Sequence, residues 1–277
     1  MVAGASLAAL LSTATVAPGQ RPVSGGSAAR TGDTLRVLFI GNSYTYFNNL
    51  PALIRAFATS DRGGRPVATG MLAPGGMTLR GHVDGGKADS AVRANRWDVV
   101  VLQEQSALAN PVRRGPSVEP GTPERFHAAV RSLDSLVRRS GARTTLYQTW
   151  ARADQPHHTQ TIASAYETIA ADLGITLAPV GRAFAIARTE RPDLALHVED
   201  GSHPTAAGSY LAACVLYATL TGRPANGVPG RVTGRAIAHD GQVAQADTAV
   251  LVDLGDRDAR FLQDVATRAL RGEARQR

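Results

Sequence analysis

The sequence predicts an α/β protein, a three-layer α/β/α sandwich on a five-stranded parallel sheet. Runs such as Val37-Leu38-Phe39-Ile40 and Val99-Val100-Val101-Leu102 are apolar at every position, as in strands covered on both faces. The segments between them carry apolar residues at three- and four-residue spacing, the period of an amphipathic helix. The two patterns alternate along the chain, and such alternation favours parallel strands joined by helical crossovers.

Each element follows from its own pattern. Leu35–Ile40 is the first strand, and Leu50–Ser60 is a helix with Leu50, Leu53, Ile54 and Phe57 on one face. Val67–Leu72 is the second strand, 88–95 a short helix and 98–102 the third strand. Residues 123–140 repeat apolar side chains at Phe126, Val130, Leu133 and Val137, a helical stripe. Residues 144–149 form the fourth strand, Thr159–Leu173 a helix stopped by Gly174, and 175–179 the fifth strand. The helix at 205–220 is apolar nearly all round, which predicts burial. Beyond Arg223 the pattern weakens to a short strand at 249–254 and a last helix at 257–271.

Composition narrows the function classes. The chain has 277 residues and 43% hydrophobic content, enough for one domain of generous size. The net charge is +7, yet among 30 basic residues only Lys87 is a lysine. No basic run interleaves with aromatics, so no nucleic-acid partner is expected. Cys214 is the sole cysteine and sits in an apolar stretch; it reads as a buried small hydrophobe. Residues 3–17 are small and apolar, and 18–30 are rich in Pro, Gly and Ser. That composition predicts a signal-peptide-like segment and linker over 1–30, a single folded domain over 31–277, and export to the periplasm or medium. The apolar run is too short and alanine-rich for stable membrane insertion. Oligomeric state leaves no signal.

Chemistry concentrates in a few places. Ser43 follows the first strand in Gly41-Asn42-Ser43, and Asp200-Gly201-Ser202-His203-Pro204 precedes the apolar helix. A serine hydroxyl becomes a useful nucleophile when a histidine takes its proton and a carboxylate holds that histidine. Asp and His three residues apart demand a loop that curls one side chain onto the other. Ser43, Gly76, Gln105, Trp150 and the Asp200–His203 loop all lie after strands, on the rim where parallel sheets bind ligands. His157-His158 is not expected to be a metal site, because neighbours on a strand or helix point apart. No zinc, calcium or phosphate-loop motif is present.

Gly41-Asn42-Ser43 and Asp200-x-x-His203 resemble the first and last blocks of the SGNH (GDSL-like) hydrolases. Between them, Ala73-Pro74-Gly75-Gly76-Met77-Thr78 stands where that family keeps its oxyanion glycine. Gln103-Glu104-Gln105-Ser106 stands where it keeps Gly-x-Asn-Asp. The resemblance spans roughly residues 35–222. Asn42 replaces the usual aspartate, and Gln105 stands where an asparagine is expected. The resemblance implies a flavodoxin-like fold and a serine esterase acting on O-acyl esters, short-chain or acetyl. A small-molecule or carbohydrate ester is the expected substrate, with neither metal nor organic cofactor. Ser43 would be the nucleophile, His203 the general base and Asp200 its orienter, with Glu199 the rival.

The oxyanion donors would be the backbone N–H groups of Ser43 and Gly76, or Gly75 instead. A side-chain amide would come from Gln105, with Gln103 and Asn42 as alternatives. Glu104 reads as a surface or loop-structuring carboxylate. Tyr44, Tyr46 and Phe47 either line the substrate site or staple the next helix to the core, and Trp150 and Arg152 sit at the rim, placed to contact a sugar or a carboxylate of the substrate. An O-acetyltransferase with the same residues and a non-catalytic carbohydrate-binding module on the same fold are the alternative functions.

Overall fold

The computed structural model describes residues 34–105, 108, 121–238, 241 and 248–272. The expected leader and linker lie outside the described residues. The strands are β1 (Leu35–Ile40), β2 (Val67–Leu72), β3 (Val99–Leu102), β4 (Arg143–Tyr147), β5 (Thr176–Ala178), β6 (Arg231–Gly234) and β7 (Ala249–Asp253). The helices are α1 (Ser43–Tyr46), α2 (Leu50–Ser60), α3 (Leu79–Asp84), α4 (Lys87–Arg93) and α5 (Pro123–Arg139). They continue with α6 (Thr159–Leu173), α7 (Val180–Glu190), α8 (Ala206–Thr221) and α9 (Asp256–Arg271).

The main sheet has the order β2-β1-β3-β4-β5, and every neighbouring pair is parallel. The chain leaves β1 for β2 on one side and later returns to β3 on the other. A crevice opens where the strand order reverses, outside the carboxyl ends of β1 and β3. Register makes the crevice level: Ile40 pairs with both Leu72 and Leu102. Gly41, Ala73 and Gln103 therefore leave the sheet side by side.

The central strands β1 and β3 bury both faces, as their apolar runs require. Val37, Phe39, Val99 and Val101 pack with α2, α7, α8 and α9. Leu38, Ile40, Val100 and Leu102 pack with α3, α4, α5 and α6. Helix α8 is the deepest of the helices, with Tyr210 through Tyr217 buried without a break. Thr205 starts it by accepting the Gly208 N–H, and Gly222 at φ +71° ends it, the usual cap chemistry. Cys214 is fully buried there, and burial pushes its thiol well up.

The five predicted strands of the main sheet are present, with ends moved by no more than two residues. The sequence reading lacked α1, α3, α7 and β6. Helix α3 has only six residues and contains Gly81, too little for a periodicity. Helix α7 begins Val180-Gly181-Arg182, and its apolar stripe of Ala183, Phe184 and Ala187 is narrow. The predicted strand at 249–254 is β7; it pairs antiparallel with β6 in a separate two-stranded ribbon.

Candidate active site

The serine sits where β1 turns into helix. Asn42 is the N-cap of α1, its side chain accepting the Tyr44 N–H at 3.1 Å. Ser43 is thus the first helical residue, and its N–H has no intrahelical acceptor. At the far end of the chain, Gly201 at φ +66° turns the loop before α8 back on itself. Asp200 Oδ1 accepts the backbone N–H of Ser202 at 2.7 Å and of His203 at 2.9 Å. Asp200 Oδ2 accepts from His203 Nδ1 at 2.5 Å. That bond leaves Nε2 facing Ser43 Oγ at 2.8 Å. The structure therefore brings Ser43, His203 and Asp200 into one continuous relay.

Desolvation alone would raise the Asp200 carboxyl. The His203 side chain and the two backbone N–H donors outweigh it and hold the group down at about 2. Asp200 is an anion at neutral pH, able to favour an imidazolium beside it. Glu199 is exposed and has no place in the relay.

The loop is fixed from behind. Arg152 Nη2 donates to the Asp200 carbonyl at 2.7 Å, and the Ala153 N–H to the Gly201 carbonyl at 2.8 Å. Trp150 Nε1 donates to the Ser202 carbonyl at 3.0 Å, and Tyr44 Oη lies 2.6 Å from Ser202 Oγ. Tyr44 stacks on Trp150 at 4.5 Å, and Trp150 on Phe184 at 4.0 Å. These contacts correct the substrate-binding role expected of Tyr44 and Trp150. Both are 2% exposed, because they form the wall that carries the acid–base loop. Arg152 likewise braces that loop. Phe47 stacks on the histidine ring at 4.3 Å and 15°, and Tyr44 meets it edge-on at 5.7 Å.

The opposite side of the serine is a buried polar cluster. The Asn42 N–H donates to Gln103 Oε1 at 3.0 Å, and Gln103 Nε2 donates to Asn42 Oδ1 at 2.9 Å. Thr45 Oγ1 donates to Gln103 Oε1 at 2.9 Å, and Gln103 Nε2 also donates to the Glu104 carbonyl at 2.5 Å. Asn42 Nδ2 donates to the Met77 carbonyl at 2.9 Å. The two amides, considered from sequence as oxyanion donors, are thus spent on each other and on the backbone. They lock the nucleophile turn to β3 and to the glycine turn. His82 adds a further tie through Nε2–H to the Gly41 carbonyl at 2.7 Å. Burial lowers its pKa, and this bond only partly opposes the shift.

The glycine turn itself runs from Pro74 to Met77, closed by the Met77 N–H on the Pro74 carbonyl at 3.3 Å. Gly76 lies at φ +70°, a conformation that favours glycine. Both Gly75 and Gly76 are exposed. Gln105 is half-buried, its N–H bound to Glu104 Oε1 at 2.6 Å.

Glu104 departs from its expected surface position, for it is only 5% exposed. Its Oε1 also accepts the Leu79 N–H at 3.1 Å. Burial pushes the carboxyl up to about 7, against the pull of the Gln105 and Leu79 N–H groups. Its ordinary value is 4.5, so the folded protein holds this proton more tightly than the unfolded chain. The stability it contributes is complete below about 4.5, falls as pH rises, and is lost above about 7. The expected loss is about 3 kcal/mol across that window. Glu104→Gln should flatten this part of the pH dependence, as denaturant unfolding at pH 5 and pH 8 would measure. An equal wild-type and variant pH slope would contradict the assignment.

His157 and His158 lie on a 3-10 turn, and their rings meet at 4.2 Å. The expectation that they point apart therefore fails: the two rings turn toward each other, edge to face. Among the described residues, no group of three or more potential ligands gathers around them or elsewhere.

Strand order, crevice and site geometry together define the SGNH-hydrolase fold. A candidate SGNH hydrolase from Slackia heliotrinireducens has 28% identity and TM-score 0.53, covering 68% of this chain and 100% of its own. A DUF4886 family protein from Bacteroides uniformis is 20% identical at TM-score 0.65, covering 86% of this chain and 95% of its own. A catalytic mutant of an acetylxylan esterase from Geobacillus stearothermophilus is 15% identical at TM-score 0.55, covering 67% and 94%. No family model and no curated protein matches the chain.

Proposed function

We propose that the protein is a serine ester hydrolase working through an acyl-enzyme. The observation that carries the reading is the relay from Ser43 Oγ at 2.8 Å to His203 Nε2 and from Nδ1 at 2.5 Å to Asp200. Ser43 Oγ attacks the ester carbonyl carbon as its proton passes to His203 Nε2. The carbonyl oxygen becomes an oxyanion, received by the N–H groups of Ser43 and Gly76, with the Gln105 side chain as third donor. Collapse breaks the bond to the alcohol, which leaves with the proton from His203. Water then gives a proton to His203 and attacks the acyl carbon, releasing the acid and restoring Ser43.

Asp200 keeps the imidazole proton on Nδ1, so that Nε2 is free to accept. Asparagine there would present an N–H to Nδ1 and favour the wrong tautomer. Asp200→Asn is therefore expected to lower kcat by about 10⁴-fold, read from steady-state hydrolysis of p-nitrophenyl acetate. Retention of kcat within tenfold would remove Asp200 from the relay.

The acyl group is proposed to be short, and an acetylated carbohydrate is the proposed natural ester. Support comes from the acetylxylan esterase among the structural neighbours, a likeness of fold. Comparing p-nitrophenyl acetate, butyrate and octanoate on residues 31–277 tests the first point. The expected order is acetate fastest and octanoate slowest; the reverse would make the protein a long-chain esterase. Export remains part of the reading, supported by the composition of residues 3–17. Recovery of the full-length product only from the cytoplasm would overturn it.

A further inference from the structure

We propose that Glu104 is a positioning residue for this acyl transfer, holding the oxyanion side of the site at a fixed distance from the serine. The inference rests on the ester-hydrolase reading above. The glycine turn leaves β2 at Leu72, whose carbonyl accepts the Gly41 N–H at 3.1 Å. It must then be held on its far side, or the Gly76 N–H has no defined relation to Ser43. Three bonds do this: Asn42 Nδ2 to the Met77 carbonyl, the Leu79 N–H to Glu104 Oε1, and His82 Nε2–H to the Gly41 carbonyl.

The same carboxyl oxygen takes the Gln105 N–H. One atom thus spans the two segments proposed to supply the second and third oxyanion donors. The backbone of Glu104 is fixed as well: its N–H donates to Tyr166 Oη at 3.2 Å, and its carbonyl accepts from Gln103 Nε2. Tyr166 comes from α6 and is fully buried, so the carboxyl hangs from a rigid mount. A buried carboxylate is a costly way to fill space. Its Oε1 accepts both N–H groups whether or not the carboxyl carries its proton, and both bonds serve the same rim of the site.

The test compares wild type with Glu104→Ala and Glu104→Gln, using p-nitrophenyl acetate kinetics, thermal unfolding, and amide hydrogen exchange at Leu79 and Gln105. Glu104→Ala is expected to lower kcat by about 10- to 100-fold, with KM within about threefold, at temperatures where the variant is folded. Glu104→Gln keeps an acceptor oxygen and the volume, and should lose only about 3- to 10-fold. Exchange at Leu79 and Gln105 should quicken in the alanine variant. A purely structural glutamate would shift unfolding and leave kcat of the folded protein unchanged. Folded variants that both keep kcat within about twofold would overturn the proposal; if the alanine variant fails to fold, the glutamine variant alone decides. An inactive wild type would instead sink the ester-hydrolase reading. The positioning role would then stand or fall on whether exchange at Leu79 and Gln105 responds to Glu104→Ala.

Discussion

Ser43→Ala is expected to abolish ester hydrolysis, lowering kcat by about 10⁴-fold or more while the protein stays folded. The argument is geometric. Ser43 is 8% exposed, enough to meet a substrate, and its hydroxyl points at His203 Nε2. Removing one oxygen leaves the acid–base loop intact, because that loop is held by Arg152, Ala153 and Trp150 and not by the serine. Unfolding temperature should therefore change little. His203→Ala should reduce kcat to a similar degree, and the double variant should be no worse than either single one, since the two act as a unit. Hydrolysis of p-nitrophenyl acetate by all four proteins would check this. Additive losses would mean that the two residues work separately.

Gly41→Ala is expected to damage stability and turnover together. A Cβ at that position would lie 2.4 Å from Gln103 Oε1 and 2.7 Å from Thr45 Oγ1. Here glycine is required by a close approach: Gln103 must lie against the backbone to reach the Asn42 N–H. Forcing it away costs about 1–3 kcal/mol for overpacking. It also frees the turn that aims Ser43, and a 1 Å misplacement can cost about 10²-fold in rate. The effect should be coupled to Gln103. In a Gln103→Ala background the clashing amide oxygen is gone, so the further loss from Gly41→Ala should shrink. A double-mutant cycle on unfolding free energy and kcat measures that coupling. Independent effects would show that the glycine serves another purpose.

Much of this was legible in the sequence, for physical reasons. The central strands β1 and β3 are buried on both faces, so they read as apolar runs. The relay residues belong to short local patterns: a serine one turn after a strand, and Asp200 and His203 within one tight loop. Gln103, Glu104 and the burial of Tyr44 and Trp150 were not legible in the same way. Their partners are far away in sequence; Gln103 and Asn42 are 61 residues apart, and Tyr44 and Ser202 are 158 apart. A polar residue after a strand can face the site or the backbone behind it, and composition does not distinguish the two. One signal was available for Gln103. It is the first residue past β3, level with Gly41 in the register, and a glycine beside a long amide often marks a close approach.

The central claim is that Ser43, activated by His203, becomes covalently acylated. The most direct measurement is the mass of the intact protein and its peptides after exposure to diethyl p-nitrophenyl phosphate. That reagent phosphorylates a serine only where a base activates it and an oxyanion site receives the phosphoryl oxygen. The account expects one adduct, on the peptide carrying Ser43, formed in step with loss of esterase activity and absent from His203→Ala. An active protein that loses no activity to the reagent, or carries its adduct on another residue, would contradict it.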